Sequence, residues 1–356
     1  MNRLLHRPKS KRCRAAKLPH VSRIRMLLRP YECLKQLADR QGDVISVRCG
    51  PDEFTIVFRP QHVKEFFALD ADGAIDPSAK TKHISWCSSN PLPARADEGV
   101  ASERRLMMRA FTKLGEPKNC EVLQRIIEEH ADTLPIGQRF DLTNWCDGLV
   151  ERITSQWLCG SPLSLPKSLL NASNPVTRLG ICTGRPTVSA RTFQKLGKYL
   201  SAQQSSENGI IGFLSNSHKG AAVADRLSFS TEAALWSRLA LFVGAFHANL
   251  DCSLRHVYFE ILSCGTDLQN RLKADFYSCN ADPNSLPYST AVCMESLRLT
   301  PVVPLILRRV RKSASLAGRR LSPNMVLAAC PYLTHTSDEI FDDARLFNPD
   351  RFNSHT

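Results

Sequence analysis

The sequence is short of long apolar runs, closely spaced cysteines and aromatic side chains. Aromatic residues make up 7% of the 356 residues, and the longest apolar stretch, residues 239–246, is far too short to cross a bilayer. None of the 13 cysteines forms a C-x-x-C pair, which argues against a zinc ribbon or a thioredoxin-like site. Their number is odd and residues 1–17 do not resemble a signal peptide, so we expect reduced thiols in a cytosol-facing protein.

Acidic residues are also in deficit. Lys and Arg number 47 and Asp and Glu number 34, which gives a formal net charge of +13. Such an excess favours anionic partners: nucleic acid, acidic lipid headgroups or an acidic redox protein. The cations are scattered, with no interleaved aromatics and no helix-turn-helix pattern, so we expect no nucleic-acid partner. Residues 1–17 hold seven Lys or Arg residues and predict a basic, disordered tail that can contact a membrane surface peripherally.

Periodicity predicts a mostly α protein with small β-sheets, an α+β fold in one domain. Apolar spacing favours a helix over residues 30–40, and two short β-branched runs, 44–47 and 54–58, predict a hairpin. The longest predicted helix covers residues 231–262, and another covers 286–299. Short strands and turns alternate after Pro301, and they are expected to join the same sheet as the hairpin.

Two motifs near the C-terminus carry more information together than apart. Glu295 and Arg298 are three residues apart in a predicted helix and therefore share one face. Residues 347–352 read Phe-Asn-Pro-Asp-Arg-Phe. Each motif alone is ordinary, since Glu-x-x-Arg pairs usually decorate a solvated surface, but their order and spacing are specific.

In these residues the chain resembles the cytochrome P-450 family of haem-thiolate monooxygenases. That family has a Glu-x-x-Arg pair in one helix and a downstream Pro-x-Arg-Phe box. The resemblance implies that Glu295, Arg298 and Arg351 form a buried structural triad. Buried charges persist only when they are paired and hydrogen-bonded, so such a triad tolerates little change.

The resemblance also implies cofactor-binding and catalytic positions. Arg308 resembles the family's arginine that reaches a haem (heme) propionate, and Arg104 resembles a second propionate contact in an earlier helix. In the long helix the family's acid and alcohol are replaced by Ala248 and Asn249. This Ala-Asn pair is similar to the branch that contains prostacyclin synthase, the sterol 7α-hydroxylases and fungal relatives. His247 beside it is expected to be a satisfied helix histidine.

The function implied is oxidation of a bulky apolar substrate that is terpenoid, steroid or polyketide-like, as in secondary metabolism. Haem would carry the chemistry and NADPH would supply electrons through a cytochrome P-450 reductase. The expected location is the cytoplasm or the cytoplasmic side of the endoplasmic reticulum membrane, without a transmembrane anchor.

One departure from the family concerns the iron ligand. The family places Phe-x-x-Gly-x-x-x-Cys-x-Gly after the Pro-x-Arg-Phe box, and its cysteine thiolate binds the haem iron. Here the sequence stops four residues after Phe352, so we expect residues 18–356 to form a single domain that is C-terminally truncated and incomplete. We assign no residue as a metal ligand. The alternative function is a truncated, haem-less remnant that binds a lipid or a partner protein, or has no activity.

Overall fold

A computed structural model describes residues 16–17, 29–49, 52–79, 112–113, 115–160, 190–202, 209, 212, 232–278 and 286–352. Helices dominate this part of the chain. The helices of at least five residues are α1 (Pro30–Gln41), α2 (Pro60–Ala71), α3 (Pro117–Ala131), α4 (Leu142–Arg152), α5 (Ala190–Ala202), α6 (Glu232–Ser263), α7 (Thr266–Ser278), α8 (Pro287–Leu299) and α9 (Pro331–His335). A π-helical turn, Ile153–Leu158, extends α4, and a short 3-10 helix covers Pro349–Phe352.

The described strands form a six-stranded sheet and a separate hairpin. The strands are β1 (Ala16–Lys17), β2 (Val44–Cys49), β3 (Asp52–Val57), β4 (Ile75–Asp76), β5 (Ile306–Val310), β6 (Ala314–Leu316), β7 (Arg319–Leu321) and β8 (Val326–Ala329). The larger sheet runs in the order β1-β2-β3-β8-β5-β4, and β6 pairs with β7. The N-terminal hairpin thus pairs with β8, since Phe54 of β3 lies opposite Val326, 326 − 54 = 272 residues later in the sequence.

The alternation of side chains explains why this sheet is covered on both faces. Successive residues of a strand point to opposite sides. In β8, Val326 and Ala328 belong to one apolar cluster with Leu34 and Ile56, while the intervening Leu327 belongs to a second cluster. A strand buried on both faces reads as a continuous apolar run, as β8 does.

The long helix α6 is the centre of the helical half. It packs against α5, α4 and α8. Its contact with α3 and α4 is an apolar cluster in which Leu250 and Leu254 meet Leu149 and Ile153. An α-helix rises 1.5 Å per residue, so the 32 residues of α6 are about 48 Å long and can span the whole domain.

The predicted α+β class, the sheet and the position of the longest helix are confirmed. Some local predictions differ from the structure. The tail predicted over residues 1–17 includes Ala16–Lys17, which pairs with β2 as strand β1; its other residues lie outside the described part. The helix Leu142–Arg152 widens into the π turn Ile153–Leu158. No helix within the described residues is long and apolar enough to span a membrane.

Candidate active site

The structure brings the three predicted charged residues together around α8. Glu295 is fully buried, and Arg298 binds it with two hydrogen bonds, Nε to Oε2 at 2.6 Å and Nη2 to Oε1 at 2.7 Å. Arg351 approaches from the 3-10 helix, with its Nε 3.4 Å from Glu295 Oε1. That distance makes an ion pair but not a directed hydrogen bond, and Arg351 Nη2 instead donates to Asp343 O at 2.9 Å.

The buried pair also holds the loop that leads to the Pro-Asp-Arg-Phe box. Arg298 donates to three backbone carbonyls, those of His335, Ala344 and Leu346. Glu295 Oε1 accepts from the backbone N–H of Asn348 at 2.8 Å. Every polar group of the pair therefore has a partner, which is the condition under which buried charges are tolerated. The pair fixes α8 to a loop some fifty residues further along the chain.

The middle of α6 presents a different kind of face. Ala245 and Asn249 are exposed, and Ala248 is half-buried. Residues four apart lie one turn above each other, so Ala245 and Asn249 form one open stripe on the helix. Small and polar side chains there leave space beside the helix, and the amide of Asn249 can donate and accept hydrogen bonds.

The opposite face of α6 carries a buried polar network. His247 Nδ1 lies 3.1 Å from Thr154 Oγ1 in the π turn, which agrees with the prediction of a satisfied helix histidine. Asp251, one turn further on, accepts a hydrogen bond from Arg255 at 2.7 Å, and Arg255 also binds Asp147 of α4. These bonds lock α6 to α4 and the π turn, and they place His247 away from the open stripe.

The buried histidines make the stability of the fold sensitive to acid. Burial lowers the pKa of His247, and burial together with the nearby Arg298 charge lowers the pKa of His335. The unfolded chain therefore binds more protons than the fold below the ordinary histidine pKa of about 6.5. We expect the urea concentration at the midpoint of unfolding to be highest above that pH. It should fall as the pH drops towards the pKa values of the two histidines in the folded protein.

Equilibrium unfolding at pH 7.5 and at successively lower pH values measures this loss. His247→Gln should reduce the slope of stability against pH, because one proton-linked group is removed. A parent and a variant with identical slopes would show that His247 is not linked to folding.

Arg308 and its neighbour lie on opposite faces of β5. The guanidinium of Arg308 is held by Asp70 of α2 through two hydrogen bonds, Nε to Oδ1 at 2.7 Å and Nη2 to Oδ2 at 3.0 Å. Arg309 points to the other face and donates to Asn324 O at 3.0 Å. Arg309 is not among the site residues predicted from the sequence, although the alternation of side chains along a strand places it on the face of β5 opposite Arg308. Arg104 lies outside the described residues.

Burial raises the pKa of five of the described cysteines. Burial raises the pKa of Cys330 and of Cys159 to about 12, and that of Cys146 to about 11. Burial also raises the pKa of the thiols of Cys293 and Cys264. A metal-binding cysteine needs its thiolate form. No group of three or more potential metal-ligating side chains occurs within the described residues.

Comparison with known proteins gives consistent matches. The cytochrome P-450 family model matches residues 269–356. Cyclooctatin synthase of Streptomyces melanosporofaciens is 21% identical over 92% of this chain and 76% of its own length. Probable cytochrome P-450 4aa1 of Drosophila melanogaster is 37% identical, but over 20% of this chain and 14% of that protein.

Solved structures agree on the fold. A zebrafish cytochrome P-450 with abiraterone superimposes with a TM-score of 0.72 at 20% identity, over 91% of this chain and 82% of that one. A cyanobacterial protein with bound retinoic acid gives a TM-score of 0.71 at 16% identity, over 90% of this chain and 77% of that one.

The described residues have the fold of the solved cytochrome P-450 structures, and the Glu295–Arg298 pair fixes α8 within it. Residues 269–356 match the cytochrome P-450 family, and the fold of the described residues agrees with that match. The branch with prostacyclin synthase and the sterol 7α-hydroxylases stays a prediction.

Proposed function

We propose that this protein is a haem-dependent monooxygenase for a bulky apolar substrate, with electrons from NADPH delivered by a reductase. The observation that carries the proposal is the open stripe of Ala245 and Asn249 in the middle of α6. In the family this part of the helix crosses the haem. An exposed face of small side chains there leaves room for a flat cofactor and an apolar substrate, while the opposite face is locked by the His247 and Arg255 networks.

The open stripe of α6, formed by Ala245 and Asn249, fits a bound haem because it leaves space where oxygen and substrate would bind. A cysteine that would bind the haem iron needs its thiolate form. Burial instead raises the pKa of Cys330 and Cys159, and the motif that supplies the ligand in the family does not occur in residues 1–356.

When bound, haem would supply the activation of oxygen. The residues of this chain would then orient the substrate and control proton transfer. The Asn249 amide can hold a water molecule or a substrate hydroxyl by hydrogen bonds. Ala248, which stands where the family has an acid, cannot transfer a proton. We therefore assign the proton path to water held by Asn249 rather than to a carboxylate.

The residues that would hold the haem propionates remain proposals. Arg104 and Arg308 are the predicted contacts. Arg308 is engaged with Asp70 and would have to share or exchange that partner. Arg309 binds one backbone carbonyl from the opposite face of β5, so we propose it as a further candidate.

The names and ligands of similar proteins support an apolar substrate class. Cyclooctatin synthase matches along most of this chain. The zebrafish structures hold abiraterone and progesterone, and the cyanobacterial one holds retinoic acid. We propose a terpenoid, steroid or polyketide-like substrate of secondary metabolism. The alternative, a haem-less remnant with a binding role or no activity, is favoured by the raised thiol pKa values.

Product formation tests the proposed function. Residues 1–356 joined to the cysteine segment of a relative would be incubated with haem, reductase, NADPH and a panel of terpenoids and steroids. We expect a product heavier by one oxygen atom, and Asn249→Ala should reduce its rate about 10–100-fold because the water or substrate loses its anchor. Asn270→Ala, an exposed asparagine on α7, is the matched control. Equal rates in both variants would remove Asn249 from the mechanism.

A further inference from the structure

A cysteine and a histidine lie one turn apart in α6, and the proposed reaction does not use them. Cys252 and His256 are four residues apart, so both side chains stand on one face of the helix. Cys252 Sγ is 3.8 Å from His256 Nδ1, and both residues are half-buried. The sulfur and the ring nitrogen therefore face each other, while part of each side chain is open to solvent.

The pair continues the open stripe of α6 towards the C-terminal end of the helix. Steps of three or four residues along a helix stay on one side of it. Such steps connect the stripe residues in the order Ala245, Asn249, Cys252, His256 and Phe259. Ala245, Asn249 and Phe259 are exposed, and Phe259 keeps 63% of its surface open. A small ion can therefore reach the pair from solvent.

The distance between the sulfur and the nitrogen fits a zinc ion. Zn²⁺ binds cysteine sulfur at about 2.3 Å and histidine nitrogen at about 2.0–2.1 Å, so a tetrahedral angle at the metal separates the two ligand atoms by about 3.6 Å. The observed 3.8 Å agrees with that separation within the tolerance of about 0.2 Å expected for a metal site. Two ligands four residues apart on a helix are also the arrangement by which the histidines of H-E-x-x-H motifs bind zinc.

The charge close to the pair favours a cation. The charged residues in the C-terminal half of α6 are Asp251, Arg255 and Glu260. Arg255 is bound by Asp251 and by Asp147 of α4, so two carboxylates against one guanidinium leave −1. Glu260, one turn beyond the pair, adds a further carboxyl group, although burial raises its pKa. A negative surrounding raises the local concentration of cations.

We propose that Cys252 and His256 form a binding site for Zn²⁺. The metal replaces the thiol proton: the S–H bond of Cys252 breaks, bonds form from zinc to Cys252 Sγ and His256 Nδ1, and the proton leaves to water. No group of three or more potential ligands occurs in the described part of the chain, so water fills the remaining positions of the ion. The site is therefore exchangeable, unlike a closed structural site with four protein ligands. It does not rest on the proposed function, because neither residue is a proposed haem contact.

Zinc binding to the 356-residue protein tests the proposal. The reduced protein is titrated with zinc chloride in competition with a chromophoric chelator. We expect a single ion with a dissociation constant in the micromolar range, far weaker than in sites with four protein ligands. Cys252→Ser and His256→Gln should each weaken binding at least about tenfold, because each removes one of the two protein ligands. Cys264→Ser removes an exposed cysteine just beyond the end of α6 and should change the affinity less than about twofold.

Cobalt in place of zinc identifies the ligand atoms. Bound Co²⁺ should give a sulfur-to-metal charge-transfer band in the parent and in His256→Cys, which keeps two ligands, but not in Cys252→Ser. Circular dichroism confirms that each variant is folded, and His256→Cys decides the matter if His256→Gln does not fold. A parent that binds no zinc in the micromolar range would show that the pair is only a hydrogen bond. The proposal is also wrong if Cys252→Ser and His256→Gln bind zinc as the parent does, since the ion then binds elsewhere.

Discussion

Glu295→Ala should unfold the protein or lower its free energy of unfolding by about 3–5 kcal/mol. Glu295 is the sole carboxylate that pairs with Arg298 within the described residues, and Arg298 is itself buried. Removing the carboxylate leaves a buried guanidinium without its counter-charge and removes the acceptor for Asn348 N–H. The soluble fraction on expression, and urea or thermal unfolding where soluble protein is obtained, measure the effect.

Two comparison variants make this result interpretable. Glu295→Gln keeps an acceptor and the side-chain shape but loses the charge, so it should be destabilised less than the alanine variant. Glu121→Ala removes an exposed carboxylate from α3 and should change the free energy of unfolding by less than about 0.5 kcal/mol. A melting curve of Glu295→Ala that matches the parent would show that the pair does not hold the fold.

The 356-residue polypeptide should show no thiolate-type Soret band when it is reduced under carbon monoxide with added haem. Burial raises the pKa of Cys330 and Cys159 to about 12, which disfavours their thiolate forms. The family's cysteine motif does not occur in residues 1–356. Porphyrin binding should therefore be weak and non-specific, and activity with a reductase should be absent.

The converse experiment separates the two candidate functions. Joining a relative's Phe-x-x-Gly-x-x-x-Cys-x-Gly segment to residue 356 should restore the thiolate-type band. The added segment supplies the cysteine whose thiolate binds the haem iron in the family, and α6 and the loop held by Arg298 supply the rest of the site. The same segment with its cysteine replaced by serine is the matched control. A thiolate band in the unextended polypeptide, at near-stoichiometric haem, would mean that an existing cysteine binds iron. No band in the extended protein would favour the haem-less remnant.

Local patterns were enough to predict much of this protein. A helical spacing of three placed Glu295 and Arg298 on one face, and β-branched runs located β2 and β3. The order of the C-terminal motifs led to the third member, Arg351, which lies against Glu295. These features could be found because side-chain periodicity is a property of a short segment, and because the motif order specifies a known fold.

The tertiary structure decided which distant groups meet. Arg308 binds Asp70, which is 238 residues earlier in the chain, and His247 meets Thr154 across 93 residues. Arg319 of β7 donates a hydrogen bond to Ser46 of β2, which is 273 residues earlier in the chain. Periodicity tells which face of an element is apolar, but not which other element will cover it. That choice depends on how the whole chain packs, and so the ion pairs and the exposed charges of this protein became visible only in its fold.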